Sequence, residues 1–143
     1  MNAIRSARAE DMPAITALLA GAALPTTDLG TSQIAFWVDE TAGGIVAAIG
    51  LERHVDAGLL RSLVVAPAHR GSGRAQRLVE AVEAAARSSG LRELVLLTQT
   101  AEAFFAKAGY AVIPRSEAPS ALQESAEFRA LCPASAICMH KAL

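Results

Sequence analysis

The residues best suited to chemistry in this chain are Arg70-Gly71-Ser72-Gly73-Arg74-Ala75, set between an apolar run and an amphipathic one. Glycines let a backbone approach a ligand closely, and the two arginines bring charge-assisted donors. Where such a turn opens a helix, the first amides have no intrahelical partners and the macrodipole adds partial positive charge. The chemistry on offer is the holding of a phosphate or another anion. The plainer alternative is a tight turn that starts a surface helix. Glu52, after Gly50-Leu51, and Arg61-Ser62, which interrupt an apolar run, are further candidates.

The elements that must position them can be read on either side. Leu59-Leu60 and Leu63-Val64-Val65 predict a strand buried on both faces, stopped by Ala66-Pro67. Beyond the turn, Leu78, Val82 and Ala85, with Val79 and Ala86 beside them, recur at helical spacing, and Gly90 ends the helix. Arg77, Glu80, Glu83 and Arg87 are expected to face solvent, with Glu83 and Arg87 at the favourable i,i+4 order. Strand, glycine turn and helix together weigh for an anion site. A P-loop would need Lys-Ser or Lys-Thr after the glycines, and none follows. A dinucleotide fingerprint would need a small residue where Gln76 stands and an acidic one where Thr98 stands.

Arg70 to Ala75 instead spells R-x-x-G-x-A, which resembles the pyrophosphate-binding turn of the GNAT acetyltransferase superfamily. Leu60 to Pro67 is similar to that family's fourth strand and Gly109-Tyr110 to its closing signature, so the resemblance spans essentially the whole chain. It implies an α/β fold with a mixed, mostly antiparallel sheet of six to seven strands, helices on both faces, and a central parallel strand pair that splays apart. It further implies a bulge near Leu63-Val64, with acetyl-CoA as acyl donor lying in the opened cleft. Leu63, Val64, Val65, Arg70, Gly71, Ser72, Gly73, Arg74, Ala75, Thr98 and Phe105 would meet that donor. The backbone of Leu63 and Val65 would pair with its amides like an added strand, and an N–H near Val64 or Val65 would hold the oxyanion.

Composition bounds the rest. With 143 residues the chain is expected to be one domain, 1–143, and its 52% hydrophobic residues with few aromatics predict an aliphatic, Ala-rich core. A net charge of -1 without a basic cluster argues against nucleic acid or anionic membrane as partner. No apolar run reaches membrane-spanning length and the N-terminus lacks a signal-like segment, so a cytoplasmic place is expected. Cys132 and Cys138 are too few for a disulfide framework or a metal site, and read as small hydrophobes.

In order, strands are expected at 2–8, around Ile34, Phe36 and Val38, and at 45–53, with a hairpin turn at 41–44 and another at 55–58. A helix with core face Ile15, Leu18, Leu19 and Ala22 lies between the first two, followed by a polar connection over 23–32. After Gly90 come a strand at 93–98, parallel to the Leu60 strand, a helix at 100–107 and a strand at 111–114. A long connection over 115–133, with a helix through Glu127-Phe128-Arg129-Ala130-Leu131, leads to a last strand at 136–141. His54 and His69 are placed on turns.

The activity the resemblance implies is acetyl transfer to the amine of a small molecule in a ternary complex. Glu52 is the candidate base, partly desolvated by Gly50-Leu51; alternatively it caps a strand edge or pairs with Arg53 or Arg61. Arg61 could clamp an acceptor carboxylate or pair with Glu52 across the strands, with Ser62 and Leu24 as its neighbours in the acceptor pocket. Where the family commonly carries N-x-x-A-x-x-x-Y-x-K-x-G-F, Phe105 replaces the tyrosine acid, and Tyr110 holds a packing position. Leu24-Pro25, Gly50-Leu51-Glu52, Phe104-Phe105 and the stretch from Glu127 resemble the arsenic-resistance-associated N-acetyltransferases. That branch implies an amino-acid-like acceptor, among them arsenical or phosphinic glutamate analogues. A non-catalytic acyl-CoA-binding sensor or regulatory module, monomer or homodimer, is the second reading.

Overall fold

Apolar alternation along residues 34–41 and a nearly continuous apolar run after Gly44 pair as a hairpin, and the sheet grows outward from it. The computed structural model describes residues 3–27, 29, 34–131 and 135–143. Its strands are β1 (Ala3–Ser6), β2 (Ile34–Thr41), β3 (Gly44–His54), β4 (Ala57–Val65), β5 (Glu93–Thr98), β6 (Ala111–Val112) and β7 (Ile137–Ala142). The α-helices are α1 (Met12–Gly21), α2 (Arg74–Ser88), α3 (Glu102–Lys107) and α4 (Ser120–Gln123). All seven strands form one sheet in the order β1-β2-β3-β4-β5-β7-β6, with β4 at its centre. β4 and β5 are parallel and every other neighbouring pair is antiparallel, which is the mixed sheet expected.

Side chains of successive strand residues go to opposite faces, and the two faces are covered by different helices. Leu78, Val79, Val82 and Ala86 of α2 pack with Ala47, Ile49, Leu51, Leu60, Leu94 and Leu96. Ile15 and Leu19 of α1 pack with Phe36, Val38, Ala48 and Val64 on the other side. Leu122 of α4 continues that second face over Leu59, Val95 and Cys138.

Two features of β4 open the sheet. Its pairing with β5 runs only from Ala57↔Glu93 to Leu59↔Val95, after which the strands part. In the same stretch Ala48 pairs with Val64 and Gly50 with Arg61, so Ser62 and Leu63 together oppose Ile49. This bulge lies one residue earlier than Leu63-Val64, because Ser62 takes the left-handed conformation, φ +60°, and Val64 is already back in register. The extra residue inverts the alternation: Leu60 and Leu63 contribute to one core cluster while Val64 joins the other.

Several boundaries differ from expectation for local reasons. The second hairpin turn is only Val55–Asp56; Ala57 and Gly58 are strand residues paired with His54 and Arg53. Gly58 is there for space, since a Cβ would come within 2.6 Å of Leu51 Cδ1 and 2.8 Å of Leu94 Cδ2. α3 starts at Glu102 rather than Thr100, because Thr98 Oγ1 accepts the Ala101 amide at 3.0 Å. The connection after β6 carries α4 as well as a π-helical turn at Glu127–Leu131. Glu10 and Asp11 lie in a 3-10 turn ahead of α1. The beginning of the first strand at Asn2, much of the 23–32 connection, and Cys132-Pro133 fall outside the described residues.

Asp11 ties β1 to α1. Arg5 Nη1 donates to its Oδ2 at 2.8 Å and Nη2 to its Oδ1 at 3.2 Å, while the Arg8 amide donates to Oδ2 at 2.7 Å. These bonds, Arg5's foremost, hold the Asp11 carboxyl down at about 2. A carboxyl depressed by folding stabilises above its unfolded pKa, and the gain is lost as the pH falls through the folded value. The melting-temperature gap between the parent and Asp11→Asn is therefore expected to be full above roughly pH 4 and to close towards about pH 2. Thermal melts across that range check this; a gap that does not vary with pH overturns it.

Candidate functional site

The candidate anion seat lies where β4 ends. A 3-10 turn, Pro67–His69, leads to Gly71 and Gly73, both left-handed at φ +81° and +79°. Only glycine takes that conformation freely, so these two residues allow the sharp entry into α2. Gly73 is the N-cap and no side-chain hydrogen bond caps the helix, which leaves the first amides, from Arg74 onward, to a ligand or water. They border a cleft of about 700 Å³. Leu63, Val64, Val65, Arg70, Gly71, Gly73, Arg74 and Ala75, all expected there, line it.

Three details of that expectation change. Ser72 is not on the cleft wall; its Oγ donates to the His69 carbonyl at 3.0 Å, inside its own turn. Arg74, expected to reach the anion, donates Nη1 to Asp39 Oδ2 at 2.8 Å, with side-chain exposures of 11% and 1%. It anchors the start of α2 to β2, so its charge is largely committed to Asp39. Arg70 Nε donates to the Val65 carbonyl at 3.1 Å, which occupies one of the backbone groups assigned to a ligand. His69, Gln76, Thr100, Ala101 and Phe104 also line the cleft and were not foreseen.

A second cleft, of about 730 Å³, shares Ala22, Leu24, Leu63, Thr100 and Ala101 with the first, so the two adjoin. It lies at the β4–β5 splay, walled by Leu60 and Ser62 on one strand and Leu96, Leu97 and Thr98 on the other. Leu24, Arg61 and Ser62, the candidate acceptor residues, line it together. Thr98 and Phe105, expected to meet the acyl donor, line this second cleft and not the first. By the bulge, Ser62 and Leu63 have no cross-strand partner in the β3–β4 register, whereas Val64 and Val65, where the oxyanion donor was expected, pair with Ala48 and Ala47.

Glu52 does not line either cleft. Arg61 Nη1 donates to its Oε1 at 3.0 Å, and His54 Nε2 meets its Oε2 at 2.5 Å. The pairing with Arg61 held open as the alternative to a base is thus present. Arg61 Nε also reaches Glu127 Oε2 at 3.0 Å, so one guanidinium, 1% exposed, sits between carboxylates that are 8% and 7% exposed. Glu127 lines the second cleft and was missed as a site residue, since an acidic residue in a long connection has no periodic or motif signal. His54 is the last residue of β3 rather than a turn residue.

Behind the clefts, Glu83 is buried rather than solvent-facing: it accepts from Tyr110 Oη at 2.8 Å and from Lys141 Nζ at 3.2 and 3.1 Å. Burial first, and the Glu83 contact next, raise the Tyr110 phenol well above its ordinary range. Tyr110 packs edge-on against Phe105, which in turn packs edge-on against Phe104, with centroids at 5.4 and 5.0 Å. This is the packing position read from the sequence. Cys138 is buried, and its thiol is pushed up to about 11 by that burial. Among the described residues, no group of three or more His, Cys, Asp or Glu is arranged to hold a metal ion.

The family model for the acetyltransferase (GNAT) domain matches residues 32–112, more than half the chain. The chain belongs to the GNAT acetyltransferase domain family. The matched segment of this GNAT domain runs from the residues before β2 through the anion turn to β6. An amino-acid acetyltransferase of Pseudomonas fluorescens (strain Pf0-1) is 38% identical over 77 residues, 52% of this chain but 18% of that protein. The N-acetylglutamate synthase of Neisseria gonorrhoeae, solved with coenzyme A and N-acetyl-glutamate, superposes with a TM-score of 0.83 at 21% identity, covering 100% of this chain and 35% of that one. A Mycobacterium tuberculosis protein solved in complex with CoA superposes at 0.80 with 27% identity, covering 99% of both chains. The GNAT domain described here therefore spans under a fifth of the curated relative and about the whole of the mycobacterial one.

Proposed function

We propose that this GNAT domain transfers an acetyl group from acetyl-CoA to the primary amine of a small, amino-acid-like molecule, as a cytoplasmic enzyme. The observation that carries the reading is the adjacency of the two clefts: the one at the uncapped helix N-terminus, behind two left-handed glycines, shares five wall residues with the one at the β4–β5 splay. In support, relatives named for acetyl transfer match it, and neighbours of the same fold were crystallised with coenzyme A.

The first amides of α2 and the side chain of Arg70 would seat the diphosphate, and Leu63, Val64 and Val65 the arm that follows. Acetyl-CoA supplies the thioester, whose cleavage by an amine gives an amide and a free thiol. The unpaired backbone at Ser62-Leu63 is where an N–H could stabilise the developing oxyanion. Phe105 cannot donate a proton, so the thiolate takes its proton from water; a thiol of ordinary pKa, about 8.5, permits this.

Glu52 lies behind Arg61, so as a base it would act through an intervening water, with His54 on its other oxygen to pass the proton outward. Glu52→Gln is expected to lower turnover at neutral pH at least about ten-fold, at or below the lower end of general-base effects, with little change in CoA affinity. An unchanged pH–rate profile removes Glu52 from the mechanism.

The test of the activity is release of free thiol from acetyl-CoA with a panel of amino acids, their amides, simple amines, and the arsenical and phosphinic glutamate analogues that the branch resemblance brings in. Turnover of at least one amine is expected. The loss of the tyrosine at Phe105 favours one other reading, a non-catalytic acyl-CoA-binding module, for which CoA binding without turnover on any amine would be the signature.

A further inference from the structure

The acceptor-side cleft carries a charge arrangement of which the sequence reading of Arg61 held only the Glu52 pairing; the contact with Glu127 is added by the fold. Among the described residues that line it, only Arg61 and Glu127 are ionisable. The Arg61 guanidinium, 1% exposed, is held by Glu52 and Glu127 at 3.0 Å each. One cation is thus shared by two anions, with His54 on the far oxygen of Glu52. If His54 carries a proton the cluster is balanced overall, yet the carboxylate on the cleft wall is still that of Glu127. No other described cation lies on this wall: Arg115 donates to the Ala136 carbonyl at 3.4 Å from outside it, and His69, Arg70 and Arg74 line the other cleft. Residues 1, 2, 28, 30–33 and 132–134 include no Lys, Arg or His that could add one. Leu24, Pro25, Ile49, Leu60, Leu96 and Phe105 make much of the remaining wall apolar.

On the acetyltransferase reading above, we propose that Glu127 is a specificity-determining residue that selects acceptors whose side chain is neutral or cationic over those with an acidic one. A protonated amine is drawn towards the Glu127 carboxylate, whereas an acidic side chain must compete with it for a guanidinium already shared, in a place where water screens weakly. The acceptor class is then an amine on an uncharged, largely apolar body. This separates the chain from the dicarboxylic ligand present in the gonococcal structure, and from acidic glutamate analogues.

Isosteric pairs isolate the charge: glutamine against glutamate, and asparagine against aspartate, assayed by thiol release with the intact chain, while CoA binding is measured by calorimetry. The neutral member is expected to have the higher kcat/KM by at least about ten-fold, carried mainly in KM. Glu127→Gln should bring that ratio towards unity by improving the acidic member, and Glu127→Asp should preserve the preference. If Glu127→Gln does not fold, the parent's ratio decides alone. A ratio near one, a preference for the acidic member, or a ratio that Glu127→Gln leaves in place overturns the selection while CoA binding and turnover keep the enzyme reading. CoA binding without turnover of any amine overturns both, and failure to bind CoA overturns the seat itself.

Discussion

Gly73→Glu is expected to reduce CoA affinity by roughly a thousand-fold, about 4 kcal/mol, from two combined effects. Gly73 caps α2 at φ +79°, a conformation that costs an L-residue about 1–2 kcal/mol. Relieving that strain refolds the first turn and withdraws the amides from the cleft. The new carboxylate would also stand at the positive end of the helix, occupying the place of the diphosphate and repelling it. Calorimetric titration with CoA on folded protein is the measurement. Gly73→Ala supplies the strain without the charge and should lose less. Unchanged affinity in the Glu variant would remove the helix end as the diphosphate seat, and the functional reading with it.

The second large effect belongs to Arg61. Arg61→Ala leaves the Glu52 and Glu127 carboxylates, 8% and 7% exposed, without their shared guanidinium. Breaking a buried ionic group in this way costs about 3–5 kcal/mol, because the charges left behind are poorly solvated. For a chain of this size that is a fall in melting temperature of about 10 °C or more. The sign with pH is opposite to that at Asp11. A buried carboxyl deprived of its guanidinium is harder to keep ionised, so the deficit should be largest at high pH and ease as the pH falls. Replacing the whole cluster by neutral groups, as Glu52→Gln with Arg61→Leu and Glu127→Gln, should recover most of the loss. Thermal melts of the single and triple variants at acidic and alkaline pH decide it; a triple variant as unstable as the single one would assign the loss to packing.

The two experiments probe two adjoining clefts. The glycine turn offers a ligand backbone donors, whose number does not depend on side-chain identity. The Arg61 cluster is made of side chains brought together from β3, β4 and the Glu127 turn, so its stability, and the selectivity proposed for it, depend on every member being present. This is why the donor end is readable as a motif and the acceptor end is not.

Much of the architecture is local and was therefore legible. Strand β5 at Glu93–Thr98, the amphipathic face of α2 and the turn at Gly71 and Gly73 each follow from the residues within them. The sequence by itself determined the order of the seven strands and of α1 to α3, the strand–glycine–helix unit and the resemblance to the GNAT family, because periodicity and φ preference act over a few residues. Only the tertiary structure decided which partner each polar group meets. Arg74 turned to Asp39, Glu83 to Tyr110 and Lys141, and Arg61 to both Glu52 and Glu127. Gly58, read as a turn residue, is needed for the approach of Leu51 and Leu94. A single bulge at Ser62-Leu63 reset which face the rest of β4 presents. These outcomes depend on register between segments far apart in the chain, and a shift of one residue exchanges the faces of a strand. No local propensity encodes that choice.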